Sequence, residues 1–118
     1  VRRKPGTLVP LELAICEAGA GLRSRGIGEF HGYEIAKTIG DAADSKLLTA
    51  YGTLYRALAR LEKMQLLTSR WEDPAIPARE NRPGRRLYTL TALGDAALED
   101  AHRALEEPAR ARRRLAPA

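Results

Sequence analysis

The run from 51 to 65, YGTLYRALARLEKMQ, does most to narrow what this chain can fold into. Leu54, Ala57, Leu58, Leu61 and Met64 recur on one stripe at helical spacing, and Thr53, Arg56, Arg60 and Lys63 on another. That division predicts a helix that docks an apolar face and leaves a cationic face free. The DNA major groove needs such a helix, because it admits one whose first turns reach base edges while neighbouring groups hold phosphates. A solvated amphipathic helix would carry the same pattern, so the flanking sequence has to decide.

Upstream, Leu8, Leu11, Ile15 and Ala18 predict a first helix that ends near Gly19, with Pro10 in its first turn, where proline is tolerated. The segment GAGLRSRGIGE, 19 to 29, carries four glycines without sustained periodicity and is expected as a flexible connection. A second helix is predicted from 32 to 43, with Ile35, Ala36, Ile39 and Ala43 inward and Glu34, Lys37, Thr38 and Asp41 outward, His31 capping it, and a turn from 44 to 49 after it. Helix, turn and basic helix thus stand in the order of a helix-turn-helix.

Downstream, LLTSRW and RRLYTLT are strand-like, and the intervening EDPAIPARENRPGR holds prolines and a glycine that are expected to prevent regular structure. The pair reads as a long hairpin whose irregular tip bears Arg79, Arg82, Arg85 and Arg86. From Thr91, a plausible cap, Leu93, Ala97, Ala101 and Ala104 with Leu98 and Leu105 predict a last helix that Pro108 interrupts, followed by a frayed arginine-rich tail. The predicted fold class is mainly α with a small β-hairpin, a winged helix-turn-helix over 1 to 90 and a C-terminal helix with a basic tail over 91 to 118.

Among the 118 residues, 20 are Lys or Arg and 15 Asp or Glu, a formal net charge of +5. That balance suits a polyanionic partner, nucleic acid before membrane. Arginine dominates the cations; its planar fork suits phosphate and guanine edges, although a G- and C-rich genome would give the same bias. One cysteine, Cys16, in an apolar run excludes a disulfide framework and a cysteine-based metal site. The two histidines lie far apart, and no nucleophile or acidic pair falls at catalytic or metal spacing, so neither an enzyme, a metal nor a cofactor is expected. No apolar run is long enough to span a bilayer, and no signal peptide is evident, which predicts a cytoplasmic protein without a membrane partner.

The candidate DNA-binding residues are Thr49, Tyr51, Gly52, Thr53, Arg56, Arg60 and Lys63 on or just before the third helix, and Arg79, Arg82, Arg85 and Arg86 on the hairpin. Such a wing can lay guanidinium groups along phosphates or into a narrow minor groove; a solvated basic loop is the alternative. Tyr33 and Tyr55 either donate hydroxyls to phosphate or bury their rings locally. Trp71, at the end of the first strand, is either packing or the wall of an effector pocket at a subunit interface.

Three segments together, HGYEIAKTI at 31–39, GTLYRALARLEKMQLL at 52–67 and RRLYTLTALG at 85–94, resemble the PadR family of bacterial repressors. Residue by residue, Tyr33 matches the tyrosine of the His-Gly-Tyr signature and Gly52, Thr53, Leu54 and Tyr55 the Gly-Thr-Leu-Tyr signature. Leu58 and Leu61 match core positions, and Arg86, Tyr88, Leu90 and Thr91 the second wing strand and the start of the last helix. The resemblance implies a homodimer on a near-palindromic double-stranded operator, repressing until a small-molecule effector binds. It also implies pairing through the last helix, by Leu93, Ala97, Leu98, Ala101, Ala104 and Leu105, with Leu11 and Ile15 of the first helix assisting. The length fits the short subclass, which has one C-terminal helix. Two departures stand out: Arg56 replaces a common proline, and GAGLRSRGIGEF lengthens the link between the first two helices. The competing reading is a winged-helix module that binds protein with the same surfaces and has no specific DNA binding.

Overall fold

In a computed structural model, the residues described are 8–42 and 51–115. Their order is α1 (Pro10–Ser24), α2 (Gly32–Ala42), α3 (Tyr51–Lys63), β1 (Leu67–Trp71), α4 (Ala75–Glu80), β2 (Arg86–Leu90) and α5 (Ala92–Leu115). This is a mainly helical winged helix-turn-helix with a long C-terminal helix. The turn expected at 44–49, with Ala43 and Thr49, lies outside the described residues.

The first helix runs past its expected end near Gly19 and takes in half of the segment read as a flexible link. Ile15, Ala18, Gly19 and Leu22 continue one buried stripe, so Gly19 serves packing: a Cβ there would stand 2.9 Å from Cζ of Phe30. The turn waits until Gly26, whose φ of 88° suits glycine. Phe30 then exchanges two backbone hydrogen bonds with Tyr88, at 3.0 and 2.7 Å, and adds a one-residue third strand to the hairpin.

α1 lies centrally, against α2, α3, α5 and β2. Leu54, Leu58 and Leu61 of α3 meet Ile15, Phe30, Ile35 and Leu67 with no more than 1% exposure each. Each such side chain contributes about 1.5–3 kcal/mol by leaving water. Leu11 and Ile15, expected at a subunit contact, belong to this core: Ile15 is fully buried within its own chain. Cys16 is buried there too, and burial, more than the neighbouring carboxylates, pushes its thiol up to about 11, leaving it protonated and inert at neutral pH.

β1 and β2 pair antiparallel in the register Leu67 to Leu90 through Trp71 to Arg86. The segment between them, expected to lack regular structure, contains α4. Its Pro77 falls in the first turn, where the backbone N–H has no partner to lose. The Asp73 carboxylate accepts the Ala75 N–H at 2.9 Å, and Asn81, left-handed at φ 52°, ends the turn.

Thr91 caps α5 as expected, its Oγ1 accepting the Gly94 N–H at 3.0 Å and donating to the Gln65 carbonyl at 2.7 Å. The helix continues through Pro108 to Leu115 instead of breaking there; the proline removes one N–H from the ladder, and the turns on either side keep theirs. Ala97 and Leu98 pack against the core while Leu93 and Leu105 are exposed, so the expected pairing stripe is divided between the chain's own interior and solvent. Ala101 is half-buried and Ala104 exposed. A bidentate contact from Arg23 to Asp95, at 2.7 and 3.1 Å, and His102 on Glu17 at 3.0 Å tie α5 to α1.

Candidate nucleic-acid interface

The helix-turn-helix delivers α3 with Leu54, Ala57, Leu58 and Leu61 buried. The outward line is Gly52, Arg56, Ala59 and Lys63, all exposed, with Tyr55 beside it. Thr53 is half-buried, and the side chain of Tyr51 lies outside the described set. Arg56 and Lys63 make no ion pair with a described residue.

Arg60, expected on that free stripe, is half-exposed, with its Nε turned toward α1. Its Nε lies 2.8 Å from Oε2 of Glu12, a carboxylate on α1 with 2% exposure. Glu12 also accepts the Val9 N–H at 3.0 Å, at the start of α1. A charge buried that deeply requires compensation, and Arg60 is one of the groups that stand beside it, linking α3 to α1.

Arg82 is likewise committed inside the protein. Its guanidinium meets both oxygens of Glu72, at 2.5 and 3.1 Å, and Glu80 at 2.6 Å. The Glu72 carboxylate accepts in addition the Arg85 N–H at 2.9 Å, so one buried acid closes the wing tip. The Arg82 hydrogen bond, ahead of the Arg85 amide and the nearby charges and against the opposing effect of burial, holds the Glu72 carboxyl below its ordinary range. A lowered folded value means that the clamp acts fully above the ordinary carboxylate pKa and is lost as pH falls through the folded one. Glu72→Gln is therefore expected to loosen the tip at neutral pH as acid does in the parent: limited trypsin cuts faster at Arg79 and Arg85 with little change in the melting temperature. Equal cutting rates would show that Glu72 clamps nothing.

Arg86 has a third kind of environment. Its Cζ stands 5.3 Å from the ring centroid of Trp71, and its Nε donates to Ser69 Oγ at 2.9 Å. Ser69 in turn donates to Glu62 on α3 at 2.5 Å. Arg86 thus braces the wing against α3 and keeps partial exposure, 37%. Arg79 and Arg85 are exposed and stand free at the tip and base of the wing. Trp71 is 64% exposed, which excludes a packing role in the core. With Tyr33, Tyr55, Arg85 and Arg86 it borders an open cleft of about 290 Å³ between α2, α3 and the wing.

Tyr33 and Tyr55 are exposed at 60% and 48%, and the Tyr55 hydroxyl lies over Gly32, where a Cβ would come within 2.7 Å of it. His31 caps α2 as expected: its Nδ1 takes the Glu34 N–H at 3.4 Å, and its own N–H goes to the Glu34 carboxylate at 3.1 Å. Sequence reasoning missed Glu12 and Glu72, the two acids that decide which arginines are free. The only signal for Glu12 was an isolated carboxylate inside an apolar run; Glu72, next to Asp73 just after the first strand, carried none. No group of three or more acids, histidines or cysteines able to hold a metal occurs among the described residues, and no helix among them is long and apolar enough to cross a membrane.

Residues 24–100 match the profile of the Transcriptional regulator PadR-like family. Among solved structures, a transcriptional regulator from Clostridium thermocellum is similar at 23% identity and a TM-score of 0.64, over 91% of this chain and 90% of that one. A PadR family transcription regulator from Clostridium difficile R20291 is similar at 21% identity and a TM-score of 0.64, over 88% of this chain and 95% of that one. At such identities these two likenesses establish the fold alone. No curated protein matches.

Proposed function

The chain belongs to the PadR-like family of transcriptional regulators, and from that premise we propose that it acts as a homodimeric repressor of a near-palindromic operator, released by a small-molecule effector. A family of this kind binds DNA to regulate transcription and is not enzymatic. The observation that carries the finer reading is the exposed line of Gly52, Arg56 and Lys63 on α3, with Tyr55 beside it and Arg79 and Arg85 on the adjoining wing.

In this reading Tyr51, Gly52, Thr53 and Arg56 approach base edges or the flanking backbone, while Tyr33, Tyr55 and Lys63 meet phosphates. The winged unit ends near residue 90, and α5 pairs two chains through Leu93, Ala101, Ala104 and Leu105, setting the two α3 helices about 34 Å apart, one turn of DNA. The exposed leucines at 93 and 105 favour such a pairing. The cleft beside Trp71 is the candidate effector site; its walls belong to α2, α3 and the wing, so a molecule seated there would contest the DNA-facing side directly.

An operator selected from a random duplex library supplies the test. Arg56→Ala is expected to weaken operator binding by about 1–3 kcal/mol and to relax preference at one base position in each half-site. Lys63→Ala is expected to weaken operator and random duplex alike and to flatten the salt dependence. If neither substitution alters affinity or salt slope, α3 is not the reading element and the protein-binding alternative gains.

A further inference from the structure

We propose a second DNA contact that rests on the reading above: a backbone track crossing α2, in which Arg25, Lys37 and Arg85 hold phosphates of the strand next to the groove that α3 enters. An open cleft of about 690 Å³ lies where the end of α1, the outer face of α2 and the base of the wing meet, and Arg25, Lys37, Thr38 and Arg85 line it. It adjoins the cleft beside α3, since His31, Tyr33 and Arg85 line both. A polyanion lying on Tyr55 and Tyr33 is thereby led toward Lys37 and Arg25.

The charge in the cleft has one sign to spare. Three cations face a single carboxylate, Glu34, which accepts the His31 N–H at 3.1 Å and lies 3.3 Å from His31 Nε2. Burial, ahead of the opposing pull of Glu34, lowers the His31 pKa, so the ring is neutral at neutral pH and adds no charge of its own. Arg25, Lys37 and Arg85 are exposed. Arg25 owes its place to the extra turns of α1, since it follows the helix directly and its N–H donates to the Leu22 carbonyl at 3.0 Å. A strand phosphate suits this cleft because the helix preceding a recognition helix crosses the DNA backbone and phosphate contacts come from Arg, Lys, Thr and Tyr without reading sequence.

The test compares the full-length chain with an Arg25→Ala, Lys37→Ala double variant on two probes, a random 20-base-pair duplex and the selected operator, over a series of salt concentrations. Removing one phosphate-neutralising cation flattens log K against log salt by about 0.9. The double variant is therefore expected to lose roughly two units of slope and at least tenfold in affinity at about 0.1 M salt, equally on both probes. The operator-to-random ratio and the melting temperature should be unchanged. Parental slope and affinity in the variant overturn the track and leave the α3 reading standing. A loss confined to the operator overturns it as well, since the two residues would then be reading bases. A parent that binds neither duplex overturns the reading on which the track rests.

Discussion

Gly94→Ala is expected to destabilise the protein by about 2 kcal/mol or more, although it replaces a helical glycine by the best helix former. Propensity alone would favour alanine by about 1 kcal/mol. Gly94, however, lies in the first turn of α5, where a Cβ would fall inside contact distance of the Leu66 carbonyl oxygen and 2.5 Å from Cδ1 of Leu90. The Leu66 oxygen cannot yield easily, because it accepts the Thr91 N–H at 3.0 Å. Overpacking of this kind costs about 1–3 kcal/mol and sometimes more, and here backbone has to move, so the steric term wins. Gly21→Ala is the internal control: that residue is helical, and a Cβ there meets nothing within 4 Å, so the propensity gain should survive. Thermal denaturation at fixed protein concentration should lower the midpoint for the first by about 10 °C and leave the second equal or higher. A Gly94→Ala protein as stable as the parent would mean that α5 does not start where it is described.

Arg60→Ala should cost about 1–3 kcal/mol, less than the loss of one partner from a fully buried ion pair, because Arg60 is half-exposed and Glu12 keeps the Val9 N–H. The size follows from the acid: Glu12 is 2% exposed, whereas Arg60 is 41% exposed, so deleting the arginine strips the guanidinium from a carboxylate that has no easy route to water. Glu12→Ala should cost less, since the arginine left behind can turn outward. Replacing both by leucine should restore most of the stability, because apolar substitutes for buried pairs are often neutral or better. Urea unfolding of the two single variants and the double variant resolves these terms as a cycle. If both single variants are neutral, the pair is an incidental contact and Arg60 rejoins the free cations of α3.

The parts of the fold legible from the residues alone were those written in local periodicity. The faces of α2 and α3, both wing strands, the Thr91 cap and the His31 cap all follow from neighbours a few residues apart. The end of α1 was missed because glycine was weighed as a breaker, whereas 15, 18, 19 and 22 keep helical spacing and Gly19 is small for the sake of Phe30. α4 was missed because Pro74 precedes it and Pro77 sits in its first turn, where the helix asks for no N–H. In the site, Arg56, Lys63, Arg79 and Arg85 are as free as their spacing suggested, but Arg60 and Arg82 are not. Their partners come from α1 and from the end of β1, and no periodicity relates those positions; only packing does. Sequence alone counts cations, and the folded chain decides which of them remain for a polyanion.

The Glu12 contact has a consequence for communication through the protein. α1 is joined to α3 by Arg60 and to α5 by Asp95 and His102, so it forms a stiff beam between the proposed reading helix and the proposed pairing helix. With α5 a 24-residue lever, about 36 Å long, a tilt of about 5° at one end displaces the other by about 3 Å, close to the rise of one base pair. In the proposed dimer, small adjustments where two chains meet would thus arrive at the DNA as shifts of about one base-pair step.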